Sequence, residues 1–226
     1  MRIDIRLAKR TQNLNPSSTL AITAKTKKLK SEGHDIVNFA AGEPDFDTPD
    51  FIKDAAITAI KTGFTKYTPT TGIPELKKII ADKLRKDNSL EYDSSQIVVS
   101  CGAKHSIFNA LFVLLNKGDE VIIPSPYWVS YPEMVRLSEG KPCFIETSPK
   151  NDFKITFKDL EKYINQKTKA IILNSPSNPT GSIYTEDELR QIAEILVAKR
   201  IFVISDEVYE KIMFDNLRHV SIASFG

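Results

Sequence analysis

The chain has 226 residues, with 31 basic against 29 acidic side chains and a net charge of +2. That length suits one large domain, or one domain with part of a second, and the even charge balance gives no electrostatic reason to expect nucleic acid or an anionic membrane as a partner. Two cysteines do not make a disulfide framework, MRIDIRLAKR lacks the apolar centre of a signal peptide, and no apolar run approaches a membrane span, so a cytoplasmic protein is expected.

Pro16 to Ser18 opens a predicted helix that runs to about Lys30 and is closed by Gly33. Its lysines Lys25, Lys27, Lys28 and Lys30 read as a solvated face. A short apolar run over 35–41 and the turn-rich Gly42-Glu43-Pro44-Asp45 follow. Thr48 and Pro49 start a second helix, with Ile52, Ala55, Ala56, Ala59 and Ile60 at helical spacing and Gly63 as its end. After a loop over 67–72, Pro74 starts a third, with Leu76, Ile79, Ile80 and Leu84 on one face.

From Gln96 onward, short apolar runs alternate with helical patterns. The predicted strands are 97–101, 120–123, 142–146, 170–173 and 201–205, and the predicted helices 103–115, 128–137, 157–164 and 186–199. Thr185 and Glu188 form a capping box at the start of the last helix. This alternation predicts an α/β fold of three layers, α/β/α, around a mostly parallel central sheet. Cys101 and Cys143 lie in the apolar runs and read as buried free thiols. No helical pattern covers the last strand, so a chain ending at Gly226 reads as incomplete.

Open parallel sheets bind ligands outside the C-terminal ends of their strands. At the first such end, Gly102-Ala103-Lys104 opens a helix, which suits an anion as well as it suits a tight turn. At the second, Trp128, the single tryptophan, is either a stacking surface or a cap on the core. At the fourth, Asn174-Ser175-Pro176-Ser177-Asn178-Pro179-Thr180-Gly181 holds a turn that admits a cis bond and offers the Asn178 amide. At the fifth, Asp206 follows a buried strand, where an acid is costly without a partner; a cationic ring nitrogen or a helix to cap are the two ways to satisfy it. Tyr209 stands three residues on. Together these suit one planar, phosphorylated, cationic heterocycle, a description pyridoxal phosphate fits. No metal site is expected.

The segments AGEPDFDTP (41–49), KYTPTTGIPEL (66–76), SCGAKHSIFNAL (100–111), PSPYWVSYPEMV (124–135), NSPSNPTG (174–181) and SDEVYEKI (205–212) resemble, in order, the class I aminotransferases of fold type I, nearest the bacterial aspartate aminotransferase branch. The resemblance implies a pyridoxal 5'-phosphate enzyme that moves an amino group from an amino acid, aspartate in the first place, to a 2-oxo acid. It implies a homodimer, with 1–46 as an N-terminal segment and part of a small domain and 47–226 as a partial cofactor-binding large domain. Asp206 would keep the pyridine nitrogen protonated, and Asn178 and Tyr209 would bond the ring's phenolic oxygen. Trp128 would stack on the ring. Gly102, Ala103 and Lys104 would serve the phosphate and a nearby carboxylate. Tyr67 would reach the phosphate of the neighbouring subunit, and Gly42 would meet the substrate's α-carboxylate through its backbone. Asn15 stands where related enzymes often carry a lysine tied to substrate choice. The family's Schiff-base lysine lies about thirty residues beyond the aspartate matched by Asp206, past the end of these 226 residues. The chain alone is therefore expected to be inactive; the alternative is a non-catalytic remnant, or a subunit completed by a separate C-terminal piece.

Overall fold

The computed structural model describes residues 7–12, 14–15, 18–39, 42 and 44–226. Pro16 and Ser17 at the first predicted helix start, and Ala41 and Glu43 in the following run and turn, lie outside the described residues. Contacts divide the chain into two compact units, Pro16–Ile73 and Met1–Asn15 with Pro74–Gly226.

The smaller unit holds helices α1 (Ser18–Ser31) and α2 (Asp50–Lys61). Pro49 takes the N-cap position of α2, and Gly33 and Gly63 follow the two helices with φ of +88° and +80°, the left-handed geometry that stops a helix most cheaply at glycine. The four lysines of α1 are exposed.

The larger unit contains α3 (Pro74–Asn88) and is built on four parallel strands, β1 (Glu120–Ser125), β2 (Lys141–Glu146), β3 (Thr168–Asn174) and β4 (Phe202–Asp206), in the order β2-β1-β3-β4. The period-2 alternation of a strand sends its side chains to opposite faces. Val121, Ile123, Ala170 and Ile172 point to a core shared with α4 (Ala103–Leu114) and α5 (Ser130–Leu137). Ile122, Ile171 and Leu173 point to the other, shared with α6 (Phe157–Tyr163) and α7 (Glu186–Lys199). Both faces of the sheet are thus covered, giving the three layers. The capping box at α7 forms, with the Thr185 side chain accepting from the Glu188 N–H.

Two readings need correction. Residues 97–101 pair with no strand among the described residues: Ile97 is extended and buried, but Val98 is 61% exposed. Apolar β-branched residues favour extended backbone, yet a ladder also requires a neighbour to accept and donate its hydrogen bonds. For the same reason Cys101 is exposed rather than buried. Cys143, on paired β2, is half-buried, and burial pushes its thiol pKa up.

Candidate functional site

The site lies where β3 and β4 end. Asn174 pairs with Asp206 in register, and its amide donates to the Asp206 backbone carbonyl at 2.8 Å, while its Oδ1 accepts the Asn178 N–H at 2.7 Å. One side chain therefore ties both strand ends to the loop that carries Asn178. The Ser175–Pro176 and Asn178–Pro179 bonds in that loop are cis. The Asn178 amide reaches the Tyr209 hydroxyl at 3.5 Å, the outer limit of a hydrogen bond.

Asp206 is buried, at 8% exposure. Tyr131 donates its hydroxyl to Oδ2 at 2.6 Å, and the Val208 N–H donates to Oδ1 at 3.2 Å. Both donors are neutral, and among the described residues no lysine, arginine or histidine pairs with this carboxylate. Burial and the negative charge of Asp206 push the Tyr131 pKa far up, so the phenol stays a donor. The residues directly after β4 form a turn rather than a helix, so Asp206 caps none, although it does take the N–H of that turn.

Trp128 packs edge-on against Tyr131, with centroids 5.4 Å apart at 86°, and Lys104 Nζ sits 4.9 Å from the indole centroid. Trp128 is half-buried against the α4–α5 core, so it serves both as a core cap and as a wall of the site. Gly102, the N-cap of α4, has φ +85°, a conformation that L side chains rarely adopt, and beyond its chain neighbours no atom lies within 4 Å of a Cβ added there. The first backbone N–H groups of a helix have no partner within it, so α4 presents donors and its positive dipole end to open space.

A cleft of about 170 Å³ is lined by Ala103, Trp128, Tyr131, Asn174, Asn178, Asp206, Val208 and Tyr209. It gathers five of the sequence-selected residues, Ala103, Trp128, Asn178, Asp206 and Tyr209. Gly102 and Lys104 adjoin it through the start of α4 and the indole contact. Gly42 and Tyr67 belong to the Pro16–Ile73 unit, where both are exposed. Tyr131 and Asn174 were missed as site residues by sequence reasoning. Tyr131 stands three residues after Trp128, one helical turn on, which places two aromatics on one side and is the signal that could have found it.

A family model described as aminotransferase class I and II matches residues 34–225. The chain belongs to this family. It is 52% identical over 220 residues to an aspartate aminotransferase of Bacillus sp. (strain YM-2), covering 97% of this chain and 56% of that one. It is 52% identical over 222 residues to an aspartate aminotransferase of Bacillus subtilis (strain 168), covering 98% and 56%. The solved aspartate aminotransferase from Thermus thermophilus with maleate superposes with a TM-score of 0.94 at 41% identity, covering all of this chain and 58% of that one. The chain thus spans a little over half the length of these relatives. Aspartate aminotransferases depend on pyridoxal 5'-phosphate, and the larger unit has their α/β fold with a parallel sheet.

Proposed function

We propose that the cleft holds pyridoxal 5'-phosphate and that the whole protein transfers an amino group between an amino acid, aspartate in the first place, and a 2-oxo acid, as a cytoplasmic homodimer. The observation that carries this reading is Asp206: a buried carboxylate held by two neutral donors, beside an indole and a helix N-terminus. A buried anion without a cation is costly, and a pyridinium nitrogen is the cation whose flat ring fits the wall made by Trp128. The donor set fits the rest of the group, with the α4 N-terminus for the phosphate and Asn178 and Tyr209 for a ring oxygen.

When bound, the cofactor supplies an electron sink for the electrons released as an amino acid loses its α-proton. The chain's residues set the conditions for that. Asp206 holds a proton at the ring nitrogen, since an adjacent anion favours the cationic form. Tyr131 and the Val208 N–H hold in place the carboxylate that lines the cleft. Trp128 fixes the plane of the ring and keeps water from one face of it. Gly42 and Tyr67 take the roles the family gives those positions, at the substrate carboxylate and at the neighbouring subunit's phosphate. Residues 1–46 contribute to a small domain and 47–226 to the large one.

On this reading the 226 residues carry the ring-holding residues that the resemblance implies but no lysine of the family's anchoring motif. Taken alone they are expected to bind cofactor non-covalently and to show no turnover with aspartate and 2-oxoglutarate. Pyridoxamine 5'-phosphate, which forms no adduct with surface lysines, tests the binding. Trp128 is the single tryptophan, so its fluorescence reports on this cleft directly. Saturable quenching is expected. Absence of saturable binding by both fluorescence and equilibrium dialysis overturns the reading, and transaminase turnover by the purified chain overturns the expectation of inactivity.

A further inference from the structure

In the segment that follows β4, residues that line the cleft interleave with acids that do not. Asp206, Val208 and Tyr209 line it; Glu207 and Glu210 do not. The segment is a turn closed by Glu210 N–H to Glu207 O at 3.0 Å and Ile212 N–H to Tyr209 O at 2.8 Å. No α-helix stiffens it, so side chains must hold it.

Glu207 is held by residues before and after the turn. Its Oε1 accepts the hydroxyls of Ser205 at 2.6 Å and Ser221 at 2.7 Å, and its Oε2 meets His219 Nε2 at 2.8 Å. Glu210 is held from α3. Lys83 pairs with its Oε1, and Asn88 donates to its Oε2 at 3.0 Å. Lys83 and Asn88 both belong to α3, and the next residue of the turn, Lys211, pairs with Asp87 of the same helix at 2.6 Å. Both glutamates are mostly buried, with side chains 20% and 17% exposed. Burial pushes their carboxyl pKa values up, but the donors outweigh it: His219 and the two serines hold Glu207, and Lys83 and Asn88 hold Glu210, below the ordinary glutamate value.

Glu207, Glu210 and His219 bring potential ligand atoms within 4.8 Å of one another. The glutamate oxygens and His219 Nε2 are already engaged, and the Lys83 ammonium on Glu210 opposes a second cation there. The cluster is therefore better explained as a fastening than as a metal site.

We propose that Glu210, with Glu207 beside it, is a positioning residue for Tyr209: it anchors the turn to α3 so that the Tyr209 hydroxyl stays beside Asn178 at the ring-oxygen end of the cleft. This rests on the cofactor reading above. Tyr209 acts on the cofactor, and Glu210 acts only through Tyr209.

A double-mutant cycle on the 226-residue chain tests it, with pyridoxamine 5'-phosphate as the probe and Trp128 fluorescence as the readout. Glu210→Ala and Tyr209→Phe are each expected to weaken binding about tenfold, the scale of one hydrogen bond. The double variant is expected to bind about as Tyr209→Phe does, because a displaced turn has no Tyr209 contact left to lose. Glu210→Gln, which keeps an oxygen for Asn88, recovers part of the loss. A merely structural Glu210 gives a different pattern, with losses that multiply to about a hundredfold or binding that Glu210→Ala leaves unchanged; either result overturns the proposal. If Glu210→Ala fails to fold by circular dichroism, Asn88→Ala takes its place in the same cycle and is judged by the same outcomes. Wild-type chain that does not bind removes the cofactor reading and this proposal with it, whereas wild-type binding with an unaffected Glu210→Ala removes this proposal alone.

Discussion

Glu120 and Asp206 are equally buried acids at opposite ends of the same sheet, each 8% exposed. Glu120 opens β1, and Asp206 closes β4. Glu120 meets a cation and an amide from its own chain, Lys141 Nζ at 3.0 Å on Oε1 and Asn165 Nδ2 at 2.9 Å on Oε2. Asp206 meets a phenol and a backbone N–H, with no cation among the described residues. The fold supplies a cation to the first charge and, among the described residues, none to the second. Burial alone does not distinguish a structural acid from a functional one; the charge of its partners does.

The largest expected effect sharpens that contrast. Asp206→Ala removes the counter-charge for a ring nitrogen and is expected to weaken pyridoxamine 5'-phosphate binding at least about a hundredfold, the scale of a lost buried charge-assisted contact. Glu120→Ala, at the far end of the strands, is expected to leave that affinity within about twofold. The contrast breaks if both variants lose affinity alike, or if Asp206→Ala binds as the wild type does. Trp128 quenching and equilibrium dialysis read both variants under the same conditions.

Tyr131→Phe is the next step down. The ring is 2% exposed and keeps its edge contact with Trp128, so the substitution removes little besides the hydroxyl on Oδ2. Affinity for the same probe is expected to fall about tenfold, on the scale of one hydrogen bond to a charged group. An unchanged affinity shows that the Val208 N–H alone orients the carboxylate.

The sequence made the four paired strands and their helices legible because apolar runs, proline starts and a capping box are local signals. It did not distinguish 97–101 from them. The apolar run Ile97-Val98-Val99 looks like the run at 170–173, and only pairing separates the two; pairing is not local. In the site, the strand-end rule singled out Asp206, Asn178, Trp128 and Tyr209, because polar or flat residues after apolar strands stand out. Tyr131 did not stand out. It lies within a helix among apolar neighbours, and it is a core residue whose one polar atom reaches the cleft. Glu207 and Glu210 were hidden in another way, since an acidic residue in a turn ordinarily faces water. Their partners lie at Lys83, Asn88, His219 and Ser221, at distances along the chain that no pattern within the turn encodes.

The smallest expected effect concerns the acid that the fold satisfies by itself. In Glu120→Gln the side chain keeps one oxygen for Asn165 but offers Lys141 no charge. Lys141 is 70% exposed, so solvent screens much of that pair, and the loss at neutral pH is expected to be about 1 kcal/mol, or roughly 2–4 °C in Tm for a chain of this size. Asn165 and then Lys141 hold the Glu120 carboxyl below its ordinary value. A carboxyl whose pKa is lower in the folded state stabilises the fold fully above its unfolded pKa, and that contribution is lost as pH falls through the folded value. The gap between wild type and Glu120→Gln is therefore expected to hold steady from pH 7 to about 5 and to narrow below about pH 4.3, the ordinary glutamate value. Thermal melts of both proteins at a series of pH values between 7 and 3.5 read the gap directly. A gap that stays constant to the acid end shows that Glu120 gains nothing from its charge, and the contrast with Asp206 then rests on geometry alone.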